Sequence, residues 1–251
     1  KFSENVANTQ VLKELNYGVK QQNVTLTRAS NGLLYPESSK ISAGAKRGLK
    51  VLKKADTGVS WYPKTEQVVA FDTGKTHQVK ATADALLNAI NAAQTGDVLE
   101  LADGQYDVSK LVKITKVLTL KAKHTGKAKL TYQRSTLFEI HDGGSLKLDG
   151  LVISGENAPD AINNSVVRTK KWGMVDNYRF EIHNSQLTNL DINHSFHFFV
   201  TGKGAMADEI TLVNNTFKNV TGDILRLNTE IEDLGIYNAE YVTLKNNTFN
   251  E

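Results

Sequence analysis

Cysteine is missing from all 251 residues, which excludes disulfide scaffolds, zinc–thiolate sites and thiol nucleophiles. Proline is scarce, at three residues, and no long polar tract occurs, so the composition is not that of a disordered chain. An excess of one charge is also missing. Thirty Lys plus Arg stand against 27 Asp plus Glu, a net +3, whereas nucleic-acid binders carry a dominant basic excess. No apolar run approaches the roughly 18 residues that a membrane span needs. What is present is an ordinary globular composition, 40% hydrophobic and 23% charged. The length suits one large domain, or a domain with an appendage.

The chain opens on Lys1-Phe2-Ser3-Glu4-Asn5, without an initiator Met or a signal peptide. It stops at Asn246-Asn247-Thr248-Phe249-Asn250-Glu251, directly after a strand-like run. Both ends read as cuts, and the expectation is a fragment whose solenoid continues in a longer polypeptide. Residues 1–75 show weak periodicity. Val24–Thr27 reads as a short strand, Lys46–Lys54 as a basic stretch, and Gly58-Val59-Ser60-Trp61-Tyr62-Pro63 as an aromatic segment laid over a surface. The expected division is an arm over 1–75, arriving from a preceding domain, and a β domain over 76–251.

Within 83–94, Ala85, Leu86, Ala89, Ile90 and Ala93 recur at helical spacing and form one apolar face. Thr82 or Asp84 is placed to cap its start, and Gly96-Asp97 ends it. Short alternating strands follow, separated by Gly, Asn and Asp turns. Segments around Leu146–Leu151, Glu181–Leu187, Thr211–Phe217 and Thr243–Phe249 repeat one pattern: an alternating strand, a small polar turn, then an apolar residue. Stacking them aligns Asp149, Ser185, Asn215 and Asn247. A coil of roughly 20–35 residues cannot bury its apolar row alone, so coils must stack. The fold class read here is all-β, a right-handed parallel β-helix whose first coil is covered by the helix. Asn215 and Asn247 fall at equivalent places, where Asn suits tight turns and can form a ladder.

The run Gly96-Asp97-Val98-Leu99-Glu100-Leu101-Ala102-Asp103-Gly104-Gln105-Tyr106, after an Ala-rich helix, looks like the opening of a chondroitinase-B-like β-helix. Leu26-Thr27-Arg28-Ala29, Gly32-Leu33-Leu34-Tyr35-Pro36, Gly58–Pro63, Asn193-His194-Ser195-Phe196 and Tyr237–Asn247 are more specific. Together they resemble the second half of two-domain alginate lyases of polysaccharide lyase family six. The resemblance implies a C-terminal β-helix joined by residues 1–75 to a catalytic one. It also implies β-elimination on uronate polymers. That chemistry needs a cation on the carboxylate, a base for the α-proton and an acid for the leaving oxygen. In the family, calcium held by an Asn and two acidic residues supplies the first, a Lys the second and an Arg the third.

The family pattern is acidic-x-acidic, then a Lys five residues on, with the Asn about one coil earlier. The matching window is Gly222-Asp223-Ile224-Leu225-Arg226-Leu227-Asn228-Thr229-Glu230. Asp223 matches the first acid, Leu225 replaces the second, and Glu230 stands where Lys belongs. Asn193 matches the Asn ligand. The set is degenerate, leaving Asn193 and Asp223 as a remnant metal pair and no complete catalytic set.

Other groups offer functional readings. Arg168, Lys170 and Lys171 precede Trp172, and with Tyr178 and Arg226 they are candidates for gripping a uronate polymer. The alternative is a solvated basic loop. Lys170, Tyr178 and His194 are candidates for base or acid in a different catalytic arrangement. His194 and His197 sit among Phe196, Phe198 and Phe199, which favours a packed, hydrogen-bonded role. Seven lysines between 110 and 129 either attract a polyanion or simply solubilise a sheet.

Three functions stay open. One is the non-catalytic β-helix of a bacterial, secreted or periplasmic alginate lyase, with calcium confined to the catalytic domain. The second is an active lyase in its own right, and the third a carbohydrate-binding or structural solenoid. The expected partners are alginate or a related acidic polysaccharide, a preceding catalytic β-helix domain and a second copy in a homodimer. Nucleic acid and a membrane span are not among them.

Overall fold

The computed structural model describes residues 69–250, apart from 83, 173, 175, 204 and 228–237, together with two short strands nearer the start. These two, β1 (Leu26–Arg28) and β2 (Leu34–Pro36), pair antiparallel. The stretches Lys46–Lys54 and Gly58–Pro63 lie outside the described residues. Strand β3 (Thr76–Val79) precedes helix α1 (Ala85–Ala92). Five coils of three strands follow. They are β4 (Val98–Leu101), β5 (Gly104–Val108) and β6 (Val112–Ile114); β7 (Val117–Ala122), β8 (Ala128–Tyr132) and β9 (Thr136–Ile140); and β10 (Ser145–Asp149), β11 (Val152–Ser154) and β12 (Ser165–Thr169). Next come β13 (Tyr178–His183), β14 (Gln186–Leu190) and β15 (His197–Val200), then β16 (Ala207–Val213), β17 (Thr216–Val220) and β18 (Leu225–Arg226). Strands β19 (Ala239–Lys245) and β20 (Thr248–Asn250) begin another coil.

Every strand from β3 onward pairs in parallel with its equivalent one coil away. The result is three sheets of seven, six and five strands. The chain is therefore a parallel β-helix. Inward residues stack in rows, such as Leu118, Leu146, Phe180, Ile210 and Val242. The interior is one continuous apolar cluster, because each coil covers its neighbour's row. Aromatic rings pack along it: Phe180 lies 4.7 Å from Phe199 and Phe198 5.1 Å from Phe217, and at the last described coil Phe217 lies 5.3 Å from the exposed Phe249.

Helix α1 covers the start of this stack, burying Leu86 and Ile90 as its periodicity requires. The expected side-chain cap is not used. Asp84 sits in the left-handed region at φ 57° and makes no capping bond. The other end is capped from outside the helix. Lys116 Nζ donates to the carbonyls of Asn91 (3.0 Å) and Ala93 (2.6 Å), which leave helix-end oxygens otherwise unpaired. Asp97 then ties three segments together. Its carboxylate accepts from Gln94 N–H (2.8 Å), Lys75 N–H (2.8 Å) and His77 (2.7 Å). The segment before β3 lies on the first sheet's outer face, where Asp72 pairs with Lys147 at 2.6 Å and Arg179 covers the Phe71 ring at 4.7 Å.

The turns between the first and second sheets carry two ladders. Asn184, Asn214 and Asn246 each take a positive φ, near 50–60°. Their amides link coil to coil, Asn214 to Asn184 at 3.2 Å and Asn246 to Asn214 at 3.3 Å. One residue on, Asn215 is buried and donates through Nδ2 to Ile182 O and Asn247 Oδ1, both at 3.0 Å, while Ser185 N–H donates to its Oδ1. The Asn215–Asn247 pairing is the ladder expected from the repeat. The alignment of Asp149 with Ser185 is corrected, because the register pairs Asp149 with His183. Leu151 is the rung before Ser185, its N–H donating to Ser185 Oγ at 3.1 Å. Gly150, with φ 69°, takes the left-handed place that Asn fills in later coils.

Candidate functional site

The degenerate window lies along the edge of the third sheet. Strand β18 pairs with β15, setting Leu225 against Phe199 and Arg226 against Val200. Asn193 sits in the turn before β15. Its Oδ1 accepts from Ser195 N–H at 3.0 Å and from Ser195 Oγ at 3.3 Å, and its Nδ2 donates to Ala161 O at 2.9 Å. This is a turn-closing Asn with both ends of its amide engaged. His194, next to it, is exposed on that turn. Glu230 lies outside the described residues.

Asp223, through its N–H, and Arg226 converge on His197, while the Asp223 carboxylate lies 3.3 Å from Nδ1 and its side chain stays 57% exposed. The imidazole is buried, and both ring nitrogens face donors: Asp223 N–H at 2.8 Å from Nδ1, and Arg226 Nη1 at 3.1 Å from Nε2. A neutral ring can accept at one nitrogen, while an imidazolium can accept at neither. Burial pushes the His197 pKa down. The Asp223 carboxylate opposes that shift, and the Arg226 guanidinium adds to it. The group therefore holds a neutral ring in place and buries the nitrogens a proton-transfer residue would need to expose.

These residues also do not fit calcium. A hard cation of that size takes six to eight oxygens. Asn193 Oδ1 is already occupied, and Asp223 is the one carboxylate among the described residues of the window. Among the described residues no three His, Asp or Glu side chains converge into a metal-holding group.

The basic cluster separates into committed and uncommitted charges. Arg168, on β12, lies in register with Glu139 on β9 and pairs with it at 2.6 Å. Glu139 is also 2.7 Å from His141. Burial alone would raise the Glu139 pKa, but His141 and Arg168 outweigh it and hold the carboxyl below its ordinary range. Lys170 Nζ lies 3.4 Å from Asp142. Lys171 and Trp172 are exposed on the loop that leads to β13, and the indole keeps 63% of its surface open. Lys203, on the equivalent loop one coil later, places Nζ 5.3 Å from the Trp172 ring centroid. Sequence reading missed Lys203 and Glu139. Each lies about one coil from its partner, the only signal that could have paired them.

Tyr178 is a correction. Of the Tyr178–Arg179 pair, Arg179 faces outward and Tyr178 points into the core. Its ring is 1% exposed and lies 6.2 Å from Phe199. Burial pushes its phenol pKa far up, and its hydroxyl has no hydrogen-bond partner among the described residues. It can neither touch a polysaccharide nor ionise to act as a base. The structure thus brings Asp223, Arg226 and His197 together, and Trp172 with Lys203. It gives His194, Lys170 and Tyr178 no common site.

No protein-family model matches this chain, and no curated protein matches it either. Among solved structures it is similar to the PL6 family alginate lyase AlyGC. The identity is 46% and the TM-score 0.72, over 93% of this chain and 32% of that one. An arginine-to-alanine mutant of the same lyase matches equally, at 46% identity over 92% of this chain. The chain thus spans about a third of the length of the relatives it matches. At this identity over nearly its whole length, the chain is a homologue of the PL6 family alginate lyases.

Proposed function

We propose that the chain is the non-catalytic C-terminal β-helix of an alginate lyase, supporting a preceding catalytic β-helix and contacting the acidic polysaccharide. The observation that carries this reading is the fate of the matched window. Asn193 closes a turn, Asp223 and Arg226 lock a buried His197, and Leu225 occupies the second acid's place. Among the described residues of the set, Asn193 is engaged through its side-chain amide and Asp223 through its N–H, and the Asp223 carboxylate has a leucine where the family has a second acid. The 32% coverage of the homologous lyase supports a part rather than a whole enzyme. Residues 69–75, lying along the first sheet, support an entry arm from the preceding part. Calcium then belongs to that preceding part. A secreted or periplasmic location fits a substrate that is itself a polymer outside the cell.

The test is a longer polypeptide that joins a family-six catalytic β-helix ahead of Lys1, compared with the same catalytic part alone. The reading predicts that removing this β-helix lowers the melting temperature and raises KM, while some turnover remains. Complete loss of turnover, restored only by residues of this chain, would contradict it.

A further inference from the structure

We infer that Trp172, Lys203 and Lys171 form a uronate-binding subsite at the corner between the third and first sheets. The inference rests on the reading of an acidic polysaccharide as ligand, and it names where that ligand would sit. Trp172 exposes 63% of its surface, which no core contact requires. A pyranose offers a C–H face that stacks on an indole, and a uronate carries a carboxylate at the rim of that ring. A cation beside the indole would meet the carboxylate as the sugar meets the ring. Lys203 Nζ lies over the ring, 5.3 Å from its centroid, within reach of a carboxylate at the rim of a sugar on the indole.

The neighbouring charges narrow the choice. Arg168 is held by Glu139 and Lys170 by Asp142. Lys171 and Lys203 have no ion pair among the described residues. Backbone contact sets the two loops side by side. Gly202 N–H donates to Thr169 Oγ1 at 2.6 Å. A Cβ at Gly202 would fall 2.1 Å from Lys170 O, so the loop bearing Lys203 can lie this close only with glycine there. The corner therefore presents an exposed indole and two ammonium groups with no ion pair among the described residues, which is recognition chemistry for an acidic sugar rather than a neutral one.

The experiment titrates the 251-residue chain with an alginate tetrasaccharide, followed by calorimetry and tryptophan fluorescence, with cellotetraose as the neutral comparison. Trp172→Ala and Lys203→Gln are compared with Lys110→Gln, an exposed lysine away from the corner. The expected result is binding by the wild type, loss of about tenfold in affinity for each corner variant, as for one desolvated charged or stacking contact, and no change for Lys110→Gln. No binding, equal binding by Trp172→Ala, or equal affinity for cellotetraose would overturn the subsite. Unsaturated product formed during the titration would bear on the non-catalytic reading alone, and the variants' affinities would still decide the subsite.

Discussion

At the scale of single residues, burial decides which polar groups can do chemistry. The Tyr178 hydroxyl is buried without a partner among the described residues. Tyr178→Phe removes an unsatisfied polar atom and keeps the ring packed. Its expected effect on unfolding free energy is between zero and a gain of about 1 kcal/mol. Tyr178→Ala should cost about 3–5 kcal/mol through the cavity it leaves. Denaturant unfolding of both variants checks the pair. His197 gives a pH signature. Its folded pKa lies below the ordinary 6.5, so the unfolded chain binds the proton first as pH falls. Its contribution is therefore complete above 6.5 and is lost as pH drops below that value toward the folded pKa. The melting temperature should fall between neutral and mildly acidic buffer, and His197→Gln should flatten that part of the slope. Asp97 acts at lower pH. The Gln94 N–H, with Lys75 N–H and His77, outweighs burial and holds its pKa below 3.8, so its stabilisation is present above 3.8 and lost as pH falls through the folded value. Tyr178 follows the strand's alternation: β13 alternates buried and half-exposed residues from Tyr178 to His183, so Tyr178 shares the inward face of Phe180 and Ile182, and the register shift with β16 falls at Asp208.

At the scale of elements, turns set the rungs and rungs set the register. Asn215→Ala should destabilise the chain by about 2–3 kcal/mol, since Ser185 N–H and Ile182 O would lose buried partners. Asn247→Ala should cost less, because Asn247 is only half-buried. Chemical denaturation of the two variants gives the ordering, and equal costs would contradict the ladder's inward bias. Gly202→Ala should push the Lys203 loop away from Lys170 and change Trp172 fluorescence, with little change in far-ultraviolet dichroism. The strands, α1 and the Asn ladder were legible because each follows from short-range periodicity or turn chemistry. Leu151 as a rung was not, since an apolar residue fills a place that later coils give to Ser or Asn. Nor was Lys116 as the cap of α1, because it reaches back to carbonyls from the next coil.

At the scale of the whole molecule, the stack of coils converts sequence distance into neighbourhood. Residues roughly one coil apart touch, as Glu139 touches Arg168 and Trp172 meets Lys203. The candidate site was therefore only half legible. Trp172, Lys170 and Lys171 could be grouped from adjacency, but which cation stays uncommitted depends on partners a coil away. The seven lysines between 110 and 129 divide the same way. Lys116 caps α1, Lys129 pairs with Glu156 at 2.7 Å, and the other five are exposed. We propose that this homologue of alginate lyases has given its matched window over to structure. The most direct test is the ultraviolet absorbance of unsaturated uronate when the purified chain is mixed with alginate and calcium. The account predicts a flat trace that is unchanged by His194→Ala. A steady rise in absorbance, abolished by His194→Ala or by Lys170→Ala, would contradict it.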